Sequence, residues 1–308
     1  DTKTSVAVNA TAVTELTGDA IAVKTALASS GITTVIDSSL AVNVSGSTSV
    51  ADINTINSDS ATGIVTATAT ETAAGTLTGL TTTDTDAITV TMAAASTSAA
   101  DLNTIDGKTS VAVNATAITE LTGTAAQVQA SYTANTAGTI TGLADEAVTI
   151  SDTTITAIAL NNLDTATTGT INATSVNILT GNATDVKTAL ASSGITTVTN
   201  GSLAVTVSGS TSVADINTIN ADSATGIVTA TATETAAATL IGLTTTGTDA
   251  ITVTMAAAST AAADLNTIDG KTSVAVGATA ITELTGNATN IKTALASSGI
   301  TTVTNGSL

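Results

Sequence analysis

The most constraining feature of this chain is that it repeats itself without gaps. Residues 16–120 align with 179–283 at a constant offset of 163, with 13 differences in 105 positions. Most differences exchange small or polar residues, such as Ser58 for Ala221 and Asn114 for Gly277; Thr78 for Ile241 is an exception. A 58-residue spacer, 121–178, separates the blocks, and 284–308 restarts the block by matching 179–203. Residues 1–40 and 269–308 therefore carry nearly the same sequence. In such a chain each unit packs mainly on its sequence neighbours, and length can grow without a new core. The expected organisation is one continuous array over 1–308 with no separate globular domain. Both ends carry ordinary repeat sequence rather than a polar cap, which suggests a longer protein or stacking on neighbouring copies.

Within the blocks, Lys108-Thr-Ser-Val-Ala-Val-Asn-Ala-Thr-Ala-Ile-Thr-Glu-Leu-Thr-Gly123 recurs at Lys3 and Lys271 in closely related form. It reads as a short strand running into a helix-like turn. Period-2 alternation places Val6/Val8, Val42/Val44, Ile88/Val90/Met92 and Val111/Val113 on one strand face. Thr66/Thr68/Thr70 shares a face opposite Val65/Ala67/Ala69. Crossovers of this length predict parallel strands. Ser49 before Asp52 and Ser98 before Asp101 resemble N-caps with an acidic residue at N3. In Asp19–Ser30, Ala20, Val23 and Leu27 share a helical face, and Gly31 is placed as a C′ terminator, as are Gly194 and Gly299.

Aligning the units on Leu16, Ile53, Leu77, Leu102, Leu121, Leu160, Leu179, Ile216, Leu240, Leu265 and Leu284 gives steps of 19, 24 or 25 residues, with three of 37 to 39. If each long step hides an extra coil, as Ile32–Val35 and Leu40–Val44 suggest, the chain has about 13 or 14 coils of 19–25 residues. The expected fold is an α/β solenoid of stacked parallel strands and short helices. An all-β solenoid is the alternative, because short apolar runs fit either.

Phe, Trp, Pro, Cys, His and Arg are absent, Tyr132 is the only aromatic residue, and Met92 and Met255 are the only methionines. Val, Ile, Leu and Ala must fill the interior, which suits thin, repeated layers. Zero cysteine excludes disulfides, thiolate metal sites and cysteine catalysis. The net charge of −18, without Arg or aromatic stacking platforms, argues against nucleic acid. No apolar stretch is long enough for a transmembrane helix. The opening DTKTS has neither initiator Met nor signal peptide and reads as a mature piece or internal segment.

Without His or Cys, a Ser–Lys or Thr nucleophile is the remaining catalytic option. Lys24, Lys187 and Lys292 occupy equivalent places in duplicated units, which suits solvated helix-face lysines better than a unique active site. There is neither GxGxxG nor GxxxxGK[ST]. No catalytic, cofactor-binding or metal-binding residue is assigned. Calcium is the one ion left open, through Asp84-Thr-Asp86 and Asp145-Glu146. Against it, the EF-hand loop and the GGxGxD nonapeptide are missing, and Asp84 is replaced by Gly247 in the second block. Tyr132 lies in the spacer; a wider layer or an exposed ring explains it more simply than a binding role. Asn-x-Ser/Thr occurs at Asn9, Asn43, Asn114, Asn172, Asn182, Asn200, Asn287 and Asn305.

The pattern of TSVADINTI, ITVTMAAAST with AADLNTID, and ITELTG with KTALASSGIT resembles repeats of very large secreted bacterial proteins. These are cell-surface proteins of the cyanobacterial S-layer, adhesin-like and matrix kind. The resemblance spans the chain through repeat style and lacks that group's calcium signature. It implies an extracellular assembly built from a long polypeptide. The expected function is a structural segment of a fibre, sheath or surface layer, without catalysis, self-associating end to end or side by side. The alternative is an adhesin or ice-binding solenoid presenting Thr, Ser and Asn rows to a cell surface, a glycan or ice.

Overall fold

The computed structural model describes residues 3–34, 40–60, 63–197, 203–223 and 226–301. Among these, parallel strands in several sheets alternate with eleven short helices, and no sheet closes into a barrel. The helices rule out the all-β alternative, and the expected parallel pairing is present throughout. The chain divides into two compact units, Asp1–Thr149 with Ala166–Gly169 and Ile150–Thr165 with Thr170–Leu308. The division falls inside the spacer 121–178, so block 16–120 lies in the first unit and block 179–283 in the second.

The recurring plan is a short strand, a turn, a second strand and a helix, as in Val113–Asn114, Glu120–Gly123 and Ala125–Ala137. The Asn-Ala-Thr turn is fixed by its own side chain: Asn114 Oδ1 accepts the Thr116 N–H at 3.1 Å. Asn9 and Asn172 do the same for Thr11 and Thr174. Such Asx turns reverse the chain without help from the rest of the fold.

The ITELTG segment is therefore the second strand and not a helix-like turn. Leu121 pairs with Thr97 of the preceding repeat, and the helix starts only after Gly123, where Thr124 provides the N-cap. The corresponding caps elsewhere are Asp19, Asn182 and Asn287. The expected alignment thus mixed strand positions Leu16, Leu121, Leu179 and Leu284 with helix positions such as Ile53 and Leu102. Helix starts actually advance by 24 to 32 residues, in place of 13 or 14 coils of 19–25. Leu40–Val44 hides no extra coil, since it enters the second strand Ala41–Thr48 of its repeat. Val35 lies outside the described residues.

Most alternation expectations hold. Val42, Val44, Ile88, Val90, Met92, Val65 and Ala67 are buried, while Thr66, Thr68 and Thr70 are exposed. Val6 departs from the pattern and is 71% exposed. On the helices, Ile53/Ile56 and Leu102/Ile105 are fully buried against the strands, each such side chain contributing about 1.5–3 kcal/mol. That burial is what holds these helices, because segments this short do not persist alone.

Capping is only partly as expected. Ser49 Oγ accepts the Asp52 N–H at 3.1 Å and Ser98 Oγ the Asp101 N–H at 3.4 Å. The Asp52 carboxylate does not turn back to complete a box. The N–H of the first helical residue, Val50, donates to Glu71 Oε2 at 2.9 Å, and that of Val213 to Glu234 at the same distance. A full capping box forms at Thr124 and Gln127. Gly31, Gly194 and Gly299 are not left-handed terminators; that conformation occurs at Gly138, with φ 83°. Gly194 and Gly299 have another constraint: a Cβ would lie 2.3 Å from Asp164 Oδ1 and 2.1 Å from Asp269 Oδ1, respectively.

Close approach is most severe at Gly63 and its counterpart Gly226, where a Cβ would lie 1.9 Å from the carbonyl oxygens of Leu40 and Leu203, respectively. Gly226→Ala is expected to cost about 1–3 kcal/mol by forcing backbone apart. Gly75→Ala, with open space around it and Ala238 as its counterpart, should be neutral or stabilise by up to about 1 kcal/mol. Urea unfolding of the two variants checks both signs.

Candidate interaction surface

The outward side of the sheets presents side chains set in rows by strand register. In the first unit Thr17, Asn43, Thr66 and Ala87 align across four strands. Ser47, Thr68 and Thr89 form the next row, and Thr91, Asn114 and Thr141 a third. The second unit repeats them as Thr180, Thr206, Thr229 and Ala250, then Ser210, Thr231 and Thr252. Neighbours within a row are ~4.8 Å apart, the strand spacing. The two-residue insertion around Gly46, with φ 75°, shifts the register between Asn43 and Ser47, so Ser47 aligns with Thr68. Asn9, Asn43, Asn114 and Asn172 are exposed on strands, whereas Asn182 and Asn287 serve as N-caps. Asn200 and Asn305 lie outside the described residues.

The helix side carries a polar ladder that sequence reading missed. In the first unit Asn54 Nδ2 donates to the Gly79 carbonyl and Asn54 Oδ1 accepts the Thr81 N–H, both at 2.8 Å. Asn103 donates to the Gln127 carbonyl at 2.9 Å. In the second unit Asn161, Asn217 and Asn266 reach Asp185, Gly242 and Asn290 in the same way. The available signal was the Asn that follows the first apolar anchor in Ile-Asn-Thr-Ile and Leu-Asn-Thr-Ile. The next residue, Thr, bonds back to its own helix, as Thr55 does to Ala51.

The titratable groups are placed as follows. Lys24 pairs with Asp52 and Lys187 with Asp215, so these two are not simply solvated lysines; the N3 aspartate of the following helix receives each. Glu120 lies between Ser96 and Thr149, whose hydroxyl donates at 2.7 Å. Asp86 is buried, accepting the Val65 and Thr83 N–H groups at 2.9 Å each; Asp249 repeats this with Val228 and Thr246. Asp84, which with Asp86 forms one of the two carboxylate pairs considered for calcium, is exposed. In the other pair, Glu146 is buried while Asp145 is exposed. Thus each candidate pair has one carboxylate used by protein donors and one in solvent. Among the described residues no group of three or more Asp or Glu converges to hold a metal ion.

Tyr132 is neither exposed nor on the surface: it is 4% exposed, and its hydroxyl donates to Glu146 Oε1. Burial, then the Glu146 bond, pushes its phenol well above the usual range. No family model, curated protein or solved structure matches this chain. Among the described residues no helix is long and apolar enough to cross a membrane. The reading of the surface therefore stands on its chemistry: hydroxyls, amides and methyls at fixed spacing.

Two outcomes follow from the ladder and the carboxylates. Asn103 Oδ1 accepts the Ser131 hydroxyl at 2.7 Å, whereas Asn161 Oδ1 and Asn266 Oδ1 are buried without a partner. The residues equivalent to Ser131 there are Ala189 and Ala294. Ala189→Ser should stabilise by about 1 kcal/mol and Ser131→Ala destabilise by a similar amount in thermal unfolding.

The Lys24 and Lys187 bonds hold Asp52 and Asp215 below the usual carboxylate range, and the Thr149 and Ser96 hydroxyls do so for Glu120. Their contribution is fully present above the unfolded value of about 4 and is lost as pH falls through the lower native values. Asp106, raised by desolvation, acts in the opposite sense. Unfolding measured from pH 6 to 2 should show Asp52→Asn losing less stability on acidification than the parent.

Proposed function

We propose that this chain is a structural repeat segment of an extracellular fibre, sheath or surface layer, its repeats stacked as an α/β solenoid and catalysing no reaction. The observation that carries this reading is that both blocks present outward rows of small side chains in the same strand register, with Thr, Ser, Asn and Ala in the first and Thr, Ser and Ala in the second. Short side chains of this kind let flat faces approach closely, side by side. The internal links support it as well, since Asn side chains fasten five of the helices to the repeat that follows, and ion pairs do so from the helices that carry Lys24 and Lys187. Such an array gains length without gaining a new kind of contact. The residue inventory agrees: Lys24 and Lys187 are paired, Lys3 and Lys292 are exposed, and the buried carboxylates Asp86, Asp249 and Glu146 bond to the fold itself.

A second reading, a binding face of the adhesin or ice-binding kind, draws on Thr68 beside Thr89 and Thr231 beside Thr252. Ala87, Ala250 and Asn43 interrupt the neighbouring row, which makes it the weaker account of the face as a whole.

Electron microscopy of native material separates the two. Filaments or sheets with an axial repeat set by the 268-residue offset between residues 1–40 and 269–308 are the expected result. Discrete short particles that depress the freezing point of their solution would overturn it and establish the binding face.

A further inference from the structure

We infer that the outward row Thr154, Ile178, Ala204 and Ile227 is a docking strip for a second copy of this chain, joined face to face about a two-fold axis. Strand register sets the row. Thr154 stands beside Ile178 and Ile178 beside Ala204, and the Val205–Val228 pairing puts Ala204 next to Ile227. On the same strands Leu179, Val205 and Val228 point inward and are fully buried, while Ile178 and Ile227 are 39% and 50% exposed. Elsewhere the place of Ile178 belongs to a carboxylate: Glu15, Glu120 and Glu283 each precede the Leu-Thr of the equivalent strand. In the first unit the corresponding row is Glu15, Ala41 and Ile64. Exchange of that glutamate for Ile178 gives the second unit an apolar strip that the first unit lacks.

Two observations identify the occupant as another copy. The first is charge. The chain carries −18, so two copies repel one another and meet best where neither brings a carboxylate. The strip and the row beside it, Thr156, Thr180, Thr206, Thr229 and Ala250, hold no ionisable side chain. The second is shape. Smaller and larger side chains alternate along the strip at the strand spacing of ~4.8 Å. A second copy can be turned over about an axis parallel to the strands, midway between Ile178 and Ala204. Each Ile178 then lies against the other copy's Ala204, and each Ile227 against the other copy's Thr154. Every isoleucine faces a smaller residue, which is the condition for two sheet faces to interdigitate. The first unit is excluded from such a contact because Glu15 would bring a carboxylate against alkyl groups.

This inference rests on the reading of the chain as a self-associating structural segment, and the two can fail separately. Sedimentation velocity of the 308-residue chain over a concentration series should show reversible dimers. Ile178→Glu installs the residue that equivalent strands already carry, so the fold should tolerate it, and it should weaken the dimer about tenfold or more. Ala204→Ile fills the hollow and should weaken it about tenfold. Adding Ile178→Ala to that variant restores the pairing of large with small and should recover most of the loss. A protein monomeric at every concentration, dimers indifferent to Ile178→Glu, or a double variant as weak as Ala204→Ile overturns the contact. Monomers that bind phosphatidylcholine vesicles through the same isoleucines would also overturn it and give the strip to a lipid surface. Dimers through the strip, from a protein whose native material forms neither filaments nor sheets, would sink the fibre role and keep the contact. Filaments that persist with Ile178→Glu would do the reverse.

Discussion

In-register parallel pairing is the constraint on which everything else here depends. A helix of four residues such as Ala74–Leu77, or eight such as Ala99–Asp106, has no independent stability. It forms because its Leu or Ile anchors lie over strands whose inward residues are already stacked. Because side chains alternate with period 2, a slip of one residue would turn Val42 and Val65 outward and bury Asn43 and Thr66. One register therefore decides both the core and the outward rows. The interior and the candidate surface are two faces of the same choice.

Polar side chains make that register specific. Asn54, Asn103, Asn161, Asn217 and Asn266 each bond to backbone one repeat further on, and Asp86 and Asp249 hold strand amides from buried positions. These bonds have little value to a single repeat and exist only between repeats. The differences between blocks show how locally they are tuned. Ser98 caps its helix while its counterpart Ala261 does not, and Ser131 satisfies Asn103 where Ala189 and Ala294 leave their asparagines unpartnered. An array tolerates such losses because each is confined to one interface between neighbours.

Much of the local structure was legible from residue types. Caps at Ser49 and Ser98, alternation at Ile88-Thr-Val-Thr-Met92 and parallel pairing all follow from short-range rules. The errors share a cause. ITELTG is too short for periodicity to distinguish a strand from a turn, and only its neighbour's register settles it as a strand. The destinations of Asp52, Glu71, Lys24 and Tyr132 were illegible for a related reason, since each partner lies 14 to 28 residues away in the chain. Gly194 and Gly299 looked like helix terminators because the same residue that permits a left-handed turn also permits a carboxylate to pack against its backbone.

The sequence by itself determined that this is a repeating α/β chain, acidic, without thiol or imidazole chemistry, whose outward strand positions are small and polar. Those properties belong to composition, period and duplication, and any fold of the chain must carry them. The tertiary structure decided the length of a repeat, the strand identity of ITELTG, and which polar groups are spent inside the fold. These are matters of partner choice across repeats, and a partner is fixed only when strand register brings it within hydrogen-bonding distance.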